Sequence, residues 1–249
     1  MPTPFTHLEI AQRLLVDEAI PAVYRDSLRA ECGAFLLGNI AADARVGNGA
    51  PRGVTHFYDY GRPIVEHPWR VMTQRNPGLM QPRDAAHRAF VAGYVAHLSI
   101  DEAWSLNMVG PHFYGRDWAD NAFRYYMLHI ILIHMDERDL LRLDDWHAPN
   151  LAQAAPRDWL PFISDDDLKA WQRLIHDQIK PGGSSRTLEI FGGRIGKTAH
   201  ELRAFLDSPQ QMQAGLWRHI APELLAQTEV TMYQHARQQL VVYMESAQI

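Results

Sequence analysis

His97 and Asp101, two residue types that bind metals, lie four positions apart in an apolar stretch of the sequence. On an α-helix, residues at i and i+4 share a face, so the imidazole and the carboxylate would lie one turn apart. A carboxylate buried beside an imidazole is costly unless the two are paired or bind a cation. The spacing is therefore compatible with a hydrogen-bonded core pair, the commoner case, and with a pair of metal ligands.

The helix that positions this pair is predicted over residues 84–111. Asp84 can cap its start, and Gly110-Pro111 can end it, because Gly adopts the left-handed cap and Pro cannot continue the hydrogen-bond ladder. Apolar residues recur every three or four positions along it, and the pair lies within this stripe, so the stripe should face a core. The residues of the stripe are Phe90, Tyr94, His97, Asp101, Trp104 and Met108.

A third candidate ligand, His7, lies at the start of a predicted first helix. Thr6 fits the N-cap of that helix, Glu9 completes a capping box, and Phe5 with Ile10 fits a hydrophobic staple. An isolated histidine near the beginning of a chain is most often a surface residue. At the first helical position, however, its ring can also turn back toward the core.

Two more candidates follow on separate segments. Asp43 comes after an apolar run that we expect to end at Gly38, and its default role is that of a turn or capping residue. His56 is flanked by Thr55 and Phe57, a β-branched and an aromatic residue that indicate local burial. Three imidazoles and two carboxylates from four segments make a mixture of nitrogen and oxygen ligands that suits zinc and similar divalent ions.

The composition narrows the class of protein. The chain has 249 residues, 47% of them hydrophobic, and a net charge of −5, which gives no basic footprint for duplex nucleic acid. Cys32 is the single cysteine, so an intrachain disulfide and a cysteine-based zinc site are both excluded. The sequence has neither an apolar run of the roughly 18 residues that a membrane span needs nor a secretory start, so we expect a cytoplasmic protein without a transmembrane segment.

The pattern of the whole chain predicts an all-α fold, because no hairpin signal or run of alternating strands is present. We expect one domain, with the candidate site in residues 1–145 and additional helices in residues 146–249. Within the second part, residues 185–206 and 221–246 have amphipathic helical patterns. Ser164 is expected to cap a helix that begins with three aspartates, whose charges suit a helix N-terminus without any metal.

These segments together resemble the zinc-dependent phospholipase C family, whose relatives include zinc nucleases that cleave single strands. The resemblance covers about the first 120 residues. It rests on Thr6-His7, on the run from Gly38 to Asp43, on Thr55-His56-Phe57 and on residues 89–101, where Gly-Tyr-x-x precedes His-x-x-x-Asp. The resemblance implies an all-α fold around one to three zinc ions.

For individual residues, the resemblance implies that one zinc ion is held by Asp43, His56, His97 and Asp101. It implies that His7 and Asp101 hold a second ion, with Asp101 bridging the two. Asp43 would in addition orient or deprotonate the attacking water.

The family's third ion uses a histidine and an acid further along the chain. His112 and Asp120 are the nearest candidates for these two ligands in this sequence.

The implied reaction is phospholipase C-like, the metal-dependent hydrolysis of a phosphoric ester in a small molecule or a lipid. From the residues alone the alternative is a non-catalytic helical protein with a structural or degenerate metal site. An oxidative di-iron bundle is disfavoured, because its Glu-x-x-His pairs do not occur in the sequence. Neither the substrate nor the oligomeric state follows from the sequence.

Overall fold

The computed structural model describes residues 2–47 and 49–247, and all regular secondary structure in these ranges is helical, as predicted. The α-helices are α1 (Pro4–Leu14), α2 (Ala22–Ala30), α3 (Cys32–Ala41), α4 (Arg52–Thr55), α5 (Pro68–Arg75), α6 (Ala85–Trp104), α7 (Asn121–Leu140), α8 (His147–Gln153), α9 (Asp165–Ile179), α10 (Thr187–Ile195), α11 (Ala199–Leu206), α12 (Pro209–Met212) and α13 (Pro222–Ser246). Ala42–Val46 and Pro77–Met80 form 3₁₀ turns, and Ser105–Phe113 and Gln213–Trp217 are π-helical. None of the helices in these ranges is long and apolar enough to cross a lipid bilayer.

Helix α6 is the centre of the packing. Seventeen of its twenty residues are buried, which is typical of a helix that is apolar on all sides and surrounded by others. Its most extensive neighbours are α3 and α13. The predicted start is confirmed, because the Asp84 carboxylate accepts a hydrogen bond of 2.8 Å from the backbone N–H of His87.

The predicted end of this helix is wrong. The helical path does not stop at Gly110-Pro111 but changes at Ser105 from α to π geometry and continues to Phe113. Proline removes one donor from the hydrogen-bond ladder, but a wider π turn tolerates that loss, and such turns accommodate local irregularities inside helices. The segment closes with a 2.8 Å hydrogen bond from the N–H of Tyr114 to the carbonyl of Val109.

Gly38 does not end helix α3, which continues to Ala41. Instead, Gly38 and Gly93 let the backbones of α3 and α6 touch. A Cβ on Gly38 would lie 2.0 Å from the carbonyl oxygen of Phe90, and one on Gly93 would lie 2.2 Å from that of Phe35. The glycine that we expected to be a terminator is therefore a helix-crossing residue.

Helix α1 starts earlier than the capping pattern predicts. Pro4 occupies the first turn, where its fixed φ and missing N–H are favourable, and Thr3 is the N-cap residue. Thr6 lies inside the helix, and its hydroxyl donates a 2.8 Å hydrogen bond to the carboxylate of Asp139 in α7. The predicted capping box between Thr6 and Glu9 is thus wrong, because a tertiary contact uses the threonine hydroxyl.

The additional helices predicted in residues 146–249 are present, with different boundaries in one segment. Ser164 caps α9 as predicted, accepting a hydrogen bond from the N–H of Asp167. The single helix predicted over residues 185–206 is divided into α10 and α11 by Gly196, which has the left-handed φ of 66°. Helix α13 packs directly against α6, so part of the last hundred residues belongs to the innermost packing.

Replacing either crossing glycine tests this arrangement. We expect Gly38→Ala and Gly93→Ala each to lower the free energy of unfolding by about 3 kcal/mol, because the added methyl group overlaps a backbone carbonyl that cannot move alone. Gly193→Ala is the matched control, since Gly193 is also helical and has open space around its Cβ position. That change should stabilise the protein by up to about 1 kcal/mol. Chemical denaturation measures all three, and equal effects would contradict the close crossing.

Candidate metal centre

Five of the predicted ligands come together in the structure. They originate from α1, from the 3₁₀ turn after α3, from the end of α4 and from α6, and all are buried. These residues, called the central cluster below, are His7, Asp43, His56, His97 and Asp101.

Asp101 lies between three imidazoles of the central cluster. One carboxylate oxygen is 3.5 Å from Nε2 of His7, and the other is 3.4 Å from Nε2 of His56 and 3.5 Å from Nε2 of His97. Charge-assisted hydrogen bonds are shorter, about 2.7–2.9 Å. Two ligands of one tetrahedral zinc ion lie about 3.3 Å apart, because each bond measures about 2.0–2.1 Å. The separations are thus longer than such hydrogen bonds and close to the spacing of ligands around a shared metal ion.

The other side of the cluster joins His56, His97 and Asp43. Nε2 of His56 is 3.4 Å from Nε2 of His97 and 3.6 Å from a carboxylate oxygen of Asp43. Nδ1 of His97 is 2.7 Å from the carbonyl oxygen of Asn39. A carbonyl only accepts, so Nδ1 carries a proton, and Nε2 is the ring atom that faces the cluster. Such a backbone partner is the usual support of a metal-binding imidazole.

Several polar atoms of the cluster lack a hydrogen-bond partner. Both ring nitrogens of His7 and Oδ1 of Asp101 are buried and unsatisfied among the described residues. Each unsatisfied buried group costs about 1–3 kcal/mol. A cation in the space that these atoms share would bind to Asp101 and to one nitrogen of His7. The arrangement therefore fits a divalent ion better than it fits a self-contained polar core.

The protonation states also suit metal binding. Burial lowers the pKa of His7 to about 4 and, together with the charge of Arg52, that of His56 to about 3. Burial acts in the opposite direction on Asp43 and Asp101, but nearby histidines outweigh it and hold the pKa of each carboxyl below its usual range. Neutral imidazoles and ionised carboxylates are the forms that bind metal ions.

His97 differs in this respect from the other two histidines. Burial lowers its pKa, but the charge of Asp101 and its contact with the ring outweigh burial, so the pKa lies above its usual range.

The two remaining predicted ligands are not in the central cluster. His112 lies in the π-helical segment, where its carbonyl accepts a hydrogen bond from the indole of Trp118. Asp120 is exposed and caps α7 by accepting a 2.7 Å hydrogen bond from the N–H of Phe123. Among the described residues, no group of potential ligands includes either one.

Arg52 is a charged neighbour of the cluster that the sequence analysis missed. One guanidinium nitrogen lies 3.3 Å from Asp101 and 2.5 Å from the hydroxyl of Tyr58, and the group lies over the rings of Tyr58 and Tyr60. Nε and Nη1 of Arg52 have no hydrogen-bond partner in the described part of the chain. The sequence did contain one indication that Arg52 lies near the cluster, because it precedes His56 by four residues, which is one helical turn.

A cavity of about 950 Å³ opens beside the central cluster. Of the five candidate ligands, only Asp43 is among the lining residues, which also include Arg52. Most of the remaining wall is apolar and includes Val46, Leu106, Leu128, Leu132, Ile175 and Phe191. A molecule in this cavity would therefore meet the cluster at the carboxylate of Asp43.

Comparison of the chain with protein-family models, with curated proteins and with solved structures found no match.

Removal of the Asp101 carboxylate tests the metal centre. We expect Asp101→Asn to lose most of the zinc that copurifies with the wild-type protein, because the amide is a weaker, uncharged ligand. Wild-type protein stripped with a chelator should regain about 2.7 kcal/mol of stability when zinc is added at 100 times its Kd, and the variant should regain little.

Asp145→Asn, at an exposed aspartate of the same chain, is the control and should behave like the wild type. Elemental analysis and thermal unfolding provide the two readouts. A wild-type protein that neither contains nor responds to zinc or another divalent ion would contradict the centre.

Asp136, a buried residue of α7 in the cavity wall, should make stability depend on pH. Burial raises the pKa of its carboxyl to about 7, and the hydroxyl of Thr187 donates a hydrogen bond to it. At a pH between its pKa in the unfolded chain, 3.8, and its pKa in the folded protein, about 7, the carboxyl of Asp136 is ionised when the chain is unfolded and protonated when it is folded. This group therefore lowers stability by up to about 1.4 kcal/mol per pH unit as the pH rises through that window.

We expect Asp136→Asn to be more stable than the wild type at pH 8 and to lose this advantage near pH 4. Asp145→Asn is again the control. Denaturant titrations at several pH values measure the difference, and a gain that is the same at every pH would disprove the assignment.

Proposed function

We propose that this protein is a zinc-dependent hydrolase of phosphoric esters with phospholipase C-like chemistry. The observation that carries the proposal is the position of Asp43 and Arg52. A carboxylate of the central cluster and a largely buried guanidinium both line the wall of one cavity. An anionic ester in that cavity would contact both the metal centre and a fixed positive charge.

Zinc ions held by the residues of the central cluster would supply two effects, charge stabilisation at the phosphoryl oxygens and activation of an attacking water. The residues of the chain supply the geometry for them. Asp101 has one oxygen toward His7 and the other toward His56 and His97. Asp43, ionised at neutral pH, faces the cavity and accepts a hydrogen bond from a water placed between it and the ester.

Arg52 is suited to hold a phosphoryl group. A guanidinium is planar and permanently charged, and it matches phosphate oxygens with two parallel donors. Tyr58 and Tyr60 hold its plane, with ring centroids 4.5 and 4.7 Å from its central carbon. Nε and Nη1 are buried without a partner among the described residues, so the protein itself leaves part of the hydrogen-bonding capacity of this guanidinium unused.

The apolar part of the cavity favours an ester with a hydrophobic substituent. Aliphatic and aromatic side chains from six helical elements form this wall, and a nonpolar group placed there contributes about 25 cal/mol per Å² of surface removed from water. We therefore expect a lipid or aryl phosphoester to be a better substrate than a fully polar one.

The test uses zinc-loaded protein with a set of phosphodiesters and phosphomonoesters that differ in the size of the apolar group. We expect hydrolysis, with kcat/KM that rises with apolar surface. Asp43→Asn should lower kcat/KM by about 100-fold or more. Arg52→Gln should lower it by about 10-fold to 100-fold, the value of a charge-assisted contact.

Arg173→Gln, at an exposed arginine, is the control for loss of one positive charge. Zinc content is measured for every variant, so that a lost ion is not mistaken for a lost catalytic contact. Protein that retains its zinc and hydrolyses none of these esters would instead have a structural or degenerate metal site.

A further inference from the structure

A second group of potential ligands lies on another face of α6. His67 precedes α5, Glu102 belongs to α6, and His235 belongs to α13. Nδ1 of His67 is 2.9 and 3.0 Å from the two carboxylate oxygens of Glu102, and Nε2 of His235 is 3.0 Å from one of them. The two rings have centroids 5.4 Å apart and planes tilted by 47°. Three distant segments of the chain thus direct ligand atoms at one point.

The carboxylate of Glu102 is buried without a permanent positive charge beside it. Its side chain is only 5% exposed, and in the described part of the chain its carboxylate contacts His67 and His235 but no lysine or arginine. An ionised carboxylate removed from water needs compensation. Two kinds of charge can supply it here, a proton on one imidazole or a metal ion between the three side chains.

The spacing of the group fits an ion. With bonds of about 2.0–2.2 Å, neighbouring ligands of one zinc-type ion lie about 3.0–3.5 Å apart, depending on the number of ligands, and the observed separations between carboxylate and imidazoles fall at the short end of this range. Two imidazoles and one carboxylate leave further positions open for water. The side chains of His67 and His235 are 35% and 21% exposed, so an ion can enter from solvent.

A neighbouring hydrogen bond holds the same segments in place. The indole N–H of Trp69, two residues after His67, donates a 2.9 Å hydrogen bond to the side chain of Gln239. Gln239 lies one helical turn after His235 in α13. The segments that carry the two histidines are therefore connected before any ion binds, which reduces the ordering that binding requires.

We propose that His67, Glu102 and His235 bind a single divalent metal ion of the zinc type, separate from the central cluster. The two sites share no ligand. Asp101 and Glu102 are consecutive, but successive side chains on an α-helix are turned by about 100°, so they face different neighbours. The ion fixes α13 and the segment before α5 to α6 and keeps an open coordination face toward solvent.

The test compares zinc stoichiometry among variants of the whole chain. His67→Ala combined with His235→Ala should bind one zinc equivalent fewer than the wild type and show a smaller rise in Tm when zinc is added. His200→Ala, at an exposed histidine outside every ligand group among the described residues, is the matched control and should lose nothing. Glu102→Gln, which keeps the shape of the buried side chain, should lose the same equivalent.

A second set of variants distinguishes zinc bound at this site from zinc bound in the central cluster. Asp101→Asn should retain the equivalent that the two histidine substitutions remove, and adding those substitutions to it should abolish that equivalent. If the double histidine variant keeps the stoichiometry and the Tm response of the wild type, the three residues are only a hydrogen-bonded group and the proposal is overturned. This outcome is independent of whether the protein hydrolyses phosphoesters.

Discussion

The contact between the backbones of α3 and α6 is the constraint on which the site depends. Only glycine allows it, because any Cβ at Gly38 or Gly93 would overlap a carbonyl oxygen of the other helix. The contact brings the carbonyl of Asn39 within 2.7 Å of His97 and so keeps a proton on Nδ1 of that ring. It also fixes the end of α3, after which the chain turns and places Asp43 beside His56.

Buried polar side chains such as those of the central cluster lower the stability of the folded protein. The side chains of His7 and Asp101 occupy positions without solvent contact, where apolar groups are the rule, and some of their ring and carboxylate atoms have no hydrogen-bond partner among the described residues. Proteins commonly accept such local costs at functional sites, where a ligand or ion compensates them. The apolar packing around α6 supplies the stability that holds these side chains in place when their own contacts do not.

Helix α6 carries two sets of polar groups because consecutive side chains point in different directions. Asp101 faces α1 and α4, and Glu102 faces α13 and the segment before α5. The same 20-residue helix therefore connects a buried cluster beside a cavity with a group near the surface. The C-terminal helix is part of this arrangement, since its packing on α6 brings His235 to Glu102.

The sequence alone determined those features that depend on residues close together in the chain. The i, i+4 spacing placed His97 and Asp101 on one face, Asp84 fixed the start of α6, and the absence of strand patterns gave the all-α class. Their local contexts made His7, Asp43 and His56 the further candidate ligands. Tertiary structure decided the rest, because it depends on contacts between distant segments. Gly38 became a crossing residue only through α6, and the hydroxyl of Thr6 was taken by Asp139, 133 positions away. His235 had no local signal, since its partner Glu102 lies an equal 133 positions earlier in the chain.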